Sequence, residues 1–313
     1  MEIDDHDGNL MKLLKGDPFL GSLEYLPFSA WYSHVPFLKY LISEFEPHKF
    51  VELGTHHGLS YFAACETVKD RKLRTKTYAI DNWVGDPHAG FYDDSVFTSV
   101  VEHNQEFIDF STLIRLDFKD AAQNFADASI DLLHIDGAHT YEAVKNDFES
   151  WRSKLANNSI VLFHDIHVRR DNFGVYKFWN EIKINEITIE FTNQYGLGVL
   201  FLGNTSSKGS FPELIRVWQE QEGENLKGIF GTHGADLVWQ YEESLRNELT
   251  SSNNQILKLT DELVSSKNQI LELSNSILQQ SANLDAVFSS KIWRYTKHLR
   301  SIVRFSRGLL HLK

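Results

Sequence analysis

The stretch Ile130-Asp-Leu-Leu-His-Ile-Asp136-Gly-Ala-His139-Thr-Tyr141 decides the fold, because an apolar run (Ile130, Leu132, Leu133, Ile135) stops abruptly at ionisable side chains. Such a run reads as a buried strand with polar chemistry at its tip. Further on the pattern returns: Ile160-Val-Leu-Phe163 is followed at once by His164-Asp165-Ile166-His167. Two neighbouring parallel strands ending in Asp and His converge at the carboxyl edge of a sheet, where open α/β folds bind ligands.

Working outward, strand-like runs at 49–53, 76–81, 111–116, 130–135 and 159–164 alternate with amphipathic helical segments. That alternation predicts an α/β fold, a doubly wound, mainly parallel sheet with crossover helices. The runs 187–191 and 197–202 flank Tyr195-Gly196 too closely for a crossover helix. They read as an antiparallel hairpin that brings the sheet to seven strands. Residues 1–45 form a helical, aromatic-rich cap, 46–204 the central domain, 205–234 a Gly/Ser-punctuated connector with a helix at 211–221, 235–288 a coiled coil and 289–313 a basic tail.

With 313 residues and 42% hydrophobic composition, the chain can build a substantial core. It lacks an apolar run near membrane-spanning length, and its start (MEIDDHDGNL) is acidic where a signal peptide is basic. These features predict a cytoplasmic protein. The single Cys65 makes no internal disulfide, fits a reducing compartment and reads as an inert buried thiol. The net charge of −12 is uneven: residues 286–313 hold seven Lys or Arg and no acid, so the remainder carries −19. A body that acidic argues against nucleic acid as a partner.

Val51-Glu-Leu-Gly-Thr-His-His-Gly58 sets Glu52 near a strand end and Gly54 and Gly58 in the turn before a helix. Glycines admit a ligand close to the backbone, and the helix start offers N–H donors. The next strand ends in Asp81-Asn82-Trp83. A carboxylate there can bond both hydroxyls of a ribose, and Trp83 can pack on an adenine. The spacing Glu-x-Gly-x-x-x-Gly departs from the Gly-x-Gly-x-x-Gly of most dinucleotide binders.

At these residues the sequence resembles the class I S-adenosylmethionine-dependent methyltransferases. More narrowly, AIDNWVGDPHAGFYDDSVF, IDLLHIDGAHTYEAVKNDFESW and VLFHDIHVRRDNFGV resemble a bacterial subfamily of glycan and natural-product biosynthesis. The resemblance covers about 49–202. It implies a Rossmann-like methyltransferase fold with S-adenosyl-L-methionine as cofactor. Glu52, Gly54 and Gly58 would then line its methionine and ribose side, Asp81 the ribose hydroxyls and Asp117 the adenine. The acceptor side would be Asp136, His139, His164 and Asp165.

Transfer to an alcohol needs the hydroxyl proton removed, or the oxygen bound to a divalent metal that acidifies it. Asp136 and Asp165 on adjacent strand tips suit a hard cation such as Mg²⁺ or Mn²⁺. Metal-dependent relatives often set a second acid or amide beside the later Asp, whereas here His164 precedes Asp165 and Ile166 follows it. His164 is therefore read as a third metal ligand in a mixed nitrogen and oxygen site, or as the general base. His139 is read as the base, with metal ligation or a structural hydrogen bond as alternatives. Tyr141 is placed within reach of the acceptor, Asp147 as a solvated helix charge, and the loop Gly85-Asp-Pro-His-Ala-Gly90 as a flap over the ligand.

Beyond the domain, Leu, Ile or Val at 245, 249, 256, 259, 263, 270, 273, 277, 284 and 287 follow a 4-3 heptad spacing. SSNNQILKLTDELV (251–264) and SSKNQILELSNSIL (265–278) are an internal repeat, and Ser252, Ser266 and Gln280 are polar seam positions. This predicts a homo-oligomer through a C-terminal coiled-coil helix. The tail 289–313 mixes cations with Trp293, Tyr295, Leu299 and Ile302, which fits a peripheral helix at the inner face of a membrane or a docking segment for a glycan-assembly partner. Its Ser290-x-x-Trp293-Arg294-x-Thr296 resembles tails that follow coiled coils in bacterial surface-polysaccharide proteins. The expected activity is O-methylation of a sugar hydroxyl on a glycan or glycosylated small molecule. A metal-dependent hydroxylase and a non-catalytic coiled-coil adaptor are the competing readings.

Overall fold

The computed structural model describes residues 20–88, 90–170, 172–203 and 222–310. It divides into two compact units, 1–242 and 243–313, each described by itself.

In the first unit, seven strands form one sheet: β1 (Lys49–Leu53), β2 (Lys76–Asp81), β5 (Ser111–Arg115), β6 (Ile130–Ile135), β7 (Leu155–His164), β8 (Ile187–Phe191) and β9 (Leu197–Leu202). Their order is β5-β2-β1-β6-β7-β9-β8. The first five are parallel, and β9 runs antiparallel to both β7 and β8. The doubly wound, Rossmann-like sheet with its closing hairpin is thus present. β7 starts four residues before the expected 159; Ile130 and Leu155 pair across a register shift that the apolar pattern does not show. A separate two-stranded ribbon, β3 (Gly85–Asp86) with β4 (Gly90–Phe91), follows β2.

Alternation along the strands divides the core between two faces. Phe50, Leu132, Ile160 and Leu162 face one cluster, with α1 (Val35–Phe45) and α2 (Leu59–Asp70). Val51, Leu53, Leu133, Ile135, Val161 and Phe163 face the other, with α5 (Tyr141–Trp151) and α6 (Val175–Ile182). Successive side chains of a strand point to opposite faces, so an uninterrupted apolar run marks a strand covered on both. Between β2 and β6 lie α3 (Asp94–Asn104) and the short α4 (Phe118–Ala121). Cys65 is buried, and burial pushes its thiol up to about 12.

The cap contributes the 3₁₀ turn Tyr32–His34 and α1. The expected helix at 211–221 lies outside the described residues. The helix expected from 235 instead begins at Glu222, as α7 (Glu222–Ser289). Its first turns carry Gly223, Gly228, Gly231 and Gly234, which disguise a helix in sequence. Burial of Leu226, Ile229, Phe230 and Leu237 in the first core offsets that cost, and Gly234 lets the backbone pass Ser33, where a Cβ would come within 2.7 Å.

The second unit contains the remainder of α7, then α8 (Lys291–Tyr295) and α9 (Lys297–Leu310). The heptad positions are exposed there, for example Leu263 at 69% and Ile270 at 68%. Among the described residues, no helix is long and apolar enough to cross a membrane.

Candidate active site

A cavity of about 830 Å³ opens at the carboxyl ends of β1, β2, β5, β6 and β7. β1 sits between β2 and β6, where the crossovers diverge to opposite faces and leave a crevice.

The turn after β1 is fixed from three sides. Gly54 donates to Ile80 O at 2.9 Å, Asp136 N donates to Leu53 O at 2.8 Å, and a Cβ on Gly54 (φ +89°) would lie 2.0 Å from Asp136 O. Only glycine fits. Gly58 (φ +85°) precedes α2 and packs on the Phe62 ring. Both glycines line the cavity, with Thr55, His56 and His57. His56 is in the left-handed region, and burial lowers its pKa to about 4.

Asp81 braces this turn. Its Oδ2 accepts from Thr55 N (3.0 Å) and His56 N (2.9 Å), and its Oδ1 accepts from Trp83 N (2.7 Å). Burial raises its pKa, opposed by those three amides. The carboxylate still lines the cavity and has lone pairs left for hydroxyl donors. Beside it stand Asn82, Leu116, Asp117 and Phe118, with Asn82 Nδ2 donating to Asp117 Oδ1 at 3.1 Å.

Two residues expected on the cofactor wall are elsewhere. Glu52 is 0% exposed, and its Oε2 lies 2.8 Å from His134 Nδ1, beneath the cavity floor. Register explains this: Glu52 pairs with His134 across β1 and β6, so the side chains meet each other before either reaches the tip. Burial raises the Glu52 pKa, and His134 opposes it. Trp83 is 1% exposed; its indole donates to His56 O at 3.0 Å and packs against Phe97. A left-handed backbone (φ 51°) turns it into the core, so it is not an adenine platform.

On the acceptor side, β6 and β7 bring Asp136, His139, His164 and Asp165 together. His139 Nε2 lies 2.8 Å from Asp165 Oδ2 and 3.9 Å from Asp136 Oδ1. His164 Nδ1 lies 3.3 Å from Asp136 Oδ1 and 3.6 Å from Asp165 Oδ2, while its Nε2 donates to Gln194 O at 3.1 Å. Burial disfavours charge on His164, but the two carboxylates outweigh it and hold its pKa well above the ordinary value. Burial likewise opposes charge on Asp136 and Asp165, and His164 overcomes it, lowering both. Gln194 O thus occupies His164 Nε2, and Nδ1 faces the two carboxylates, which favour its protonated form. At these strand tips, donor atoms of Asp136, His139 and Asp165 lie within 4.8 Å of one another, close enough to share an ion.

His139 is also held by its ring, stacked on Phe173 at 4.7 Å and 25°. Burial lowers its pKa, but Asp165 outweighs this and leaves it raised. Thr55 Oγ1 and His139 Nδ1 are two of eight buried side-chain polar atoms, among the described residues, without a hydrogen-bond partner.

Tyr141 and Asp147 depart from expectation. The Tyr141 hydroxyl donates to Glu181 Oε2 at 2.8 Å and does not line the cavity. Asp147 is largely buried, near the Gly137 backbone, and burial pushes its carboxyl up to about 7. Sequence reasoning passed over Phe28, Tyr92, Asn82, Phe173, Gln194 and Tyr195, all on the wall. Phe173 follows the β7 tip closely in sequence, whereas Gln194 and Tyr195 arrive through a turn of three successive positive-φ residues, Gln194, Tyr195 and Gly196.

Residues 51–166 match the family model described as "Methyltransferase domain". The chain is 45% identical over 186 residues to "Uncharacterized protein y4gI" of Sinorhizobium fredii (strain NBRC 101917 / NGR234), covering 59% of this chain and 20% of that protein. It thus spans about a fifth of the length of the curated relative it matches. Among solved structures, the O-methyltransferase TomG of Streptomyces achromogenes, in complex with SAM, aligns at 15% identity over 65% of this chain and 100% of that chain (TM-score 0.43). The SAH-bound methyltransferase PaMTH1 of Podospora anserina aligns at 12% identity over 64% and 89% (TM-score 0.43). Residues 51–166, which carry the β1 turn, Asp81 and the β6 and β7 tips, are thus matched to a methyltransferase domain on a Rossmann-like sheet.

Proposed function

We propose that this protein is an S-adenosylmethionine-dependent O-methyltransferase acting on a sugar hydroxyl of a glycan or glycosylated small molecule. The carrying observation is the joining of a glycine turn braced by Asp81 to the His139–Asp165 pair in one cavity. The donor half fits the cofactor: Asp81 offers acceptors beside a close backbone approach, and Thr55 Oγ1 is a buried polar atom awaiting a partner. S-adenosylmethionine, when bound, supplies a methyl group on a sulfonium that needs little activation.

The work left to the chain is to hold the acceptor and take its proton. Asp165 accepts Nε2–H of His139 and fixes the tautomer that leaves a lone pair on Nδ1. His139, oriented by Asp165, then takes the hydroxyl proton, and Asp165 steadies the resulting imidazolium. His164, tied to Gln194 O, keeps Asp136 and Asp165 ionised. Phe173 and Tyr195 supply flat apolar faces for a sugar ring.

A second reading, favoured by the spacing of Asp136, His139 and Asp165, is a divalent ion such as Mg²⁺ or Mn²⁺ held by these donors to acidify the acceptor. Turnover after exhaustive chelation separates the two: retained activity removes the metal. The exposed heptad face of α7 supports assembly of identical chains, and the cationic tail supports peripheral docking to an anionic membrane or a glycan-assembly partner.

The test is calorimetric titration with S-adenosylhomocysteine, followed by methyl transfer from labelled S-adenosylmethionine to a panel of glycosides. No binding at millimolar S-adenosylhomocysteine would sink the methyltransferase reading in favour of an adaptor. Binding with transfer to non-sugar hydroxyls alone would remove the sugar.

A further inference from the structure

We propose that Asp86, His88 and His139 form a binding site for a divalent transition-metal ion of the Zn²⁺ or Co²⁺ kind. One ligand atom from each lies within 4.8 Å of the others, and all three residues line the cavity. This donor set is distinct from Asp136, His139 and Asp165, with which it shares only His139.

The site is built by two elements. Asp86 and His88 come from the β3–β4 ribbon, where Gly85 pairs with Phe91 and Asp86 with Gly90. Gly85 is left-handed (φ +82°), and a Cβ there would lie 2.1 Å from Gly90 O, so the ribbon is as tight as glycine permits. Within it His88 N donates to Asp86 Oδ1 at 2.6 Å, which sets carboxylate and imidazole side by side. His139 comes from the loop after β6. Phe173 packs both imidazoles, with ring centroids 4.7 Å from each, and the two imidazoles lie 5.5 Å apart. Ring packing of this kind orients ligands before an ion arrives, which lowers the ordering cost of binding.

Two imidazoles and one carboxylate form a borderline donor set. It suits Zn²⁺, Co²⁺ or Fe²⁺, whereas Mg²⁺ and Ca²⁺ take oxygen ligands. Three protein ligands leave further positions for water or an acceptor oxygen. A bound ion ties the ribbon to the His139 loop across the cavity. Ligation also occupies a His139 lone pair, so the ion inhibits methyl transfer; this consequence, unlike the binding, rests on the base role proposed above.

The test uses the full chain stripped with a chelator and titrated with Co²⁺, read by its visible absorption bands, with Zn²⁺ as competitor. The expected result is one site displaced by Zn²⁺ and not by Mg²⁺, weakened at least about tenfold in Asp86→Asn and His88→Gln and retained in Asp136→Asn. Urea unfolding midpoints establish that each variant is folded. Binding that survives His88→Gln and Asp86→Asn but is lost in Asp136→Asn assigns the ion to the strand-end donors and overturns the proposal, as does displacement by Mg²⁺. Absence of Co²⁺ bands overturns it too, without touching methyl transfer. Co²⁺ bands without inhibition leave the site standing and remove His139 from proton transfer.

Discussion

His139 Nε2 lies 2.8 Å from Asp165 Oδ2, a contact that joins the loop after β6 to the first residue beyond β7. Asp165 adopts φ 64° to make it, a left-handed conformation outside the ordinary preference of a non-glycine residue. The pair is therefore held by the two strand tips.

Because Asp165 outweighs burial and raises the His139 pKa, the neutral base forms only as pH climbs past the ordinary histidine value. Single-turnover methyl transfer is expected to rise with pH along a limb above about 6.5. Asp165→Asn should move that limb downward and slow the reaction, and His139→Ala should slow it about 10²- to 10⁴-fold. Unchanged rates in both variants would remove the pair from the chemistry.

Asp81 accepts three backbone amides around the glycine turn. Asp81→Ala leaves buried N–H groups without partners, at a cost of about 1–3 kcal/mol each before relaxation. Both a lower urea midpoint and weaker S-adenosylhomocysteine binding are expected. Loss of binding at full stability would confine Asp81 to ligand contact, and the reverse would make it a brace alone.

Burial raises the Asp147 carboxyl from 3.8 to about 7. Between those values the folded chain holds a proton that the unfolded chain has lost, so this group's contribution to stability falls as pH rises through the window. The full penalty above pH 7 is at most about 4 kcal/mol, at roughly 1.36 kcal/mol per unit. Asp147→Asn should raise the melting temperature at pH 8 and leave it nearly unchanged at pH 4. Equal effects at both pH values would assign the gain to something other than charge.

Along α7 the polar seam residues Ser252, Ser266 and Gln280 recur every fourteen residues among Leu and Ile. A parallel, in-register pair of chains stacks polar on polar and sets Glu262 across from Lys267 of the second copy. Ser266→Cys is expected to cross-link between copies under mild oxidation, because its seam position faces its own counterpart. Cross-linking of Ser252→Cys chains to Gln280→Cys chains, with none between two Ser252→Cys chains, would mean an antiparallel coil.

By itself the sequence determined the sheet. The apolar runs at 49–53, 76–81 and 130–135 have the periods and lengths of strands covered on both faces, and their polar tips mark the carboxyl edge. It determined the heptad register of α7 for the same reason: both patterns are local. Tertiary structure decided how side chains divide within the site. Glu52 was legible as an acid near a strand end, but pairing with His134 across the sheet turned it away from the cavity. Trp83 stood next to Asp81, yet one left-handed residue sent its indole into the core. Gln194 comes from another hairpin to occupy His164 Nε2, and Asp86 and His88 reach His139 from a ribbon some fifty residues earlier. Strand and helix follow from side-chain periodicity within one segment. Which nitrogen keeps a free lone pair depends on atoms that only the folded chain brings within a few ångströms.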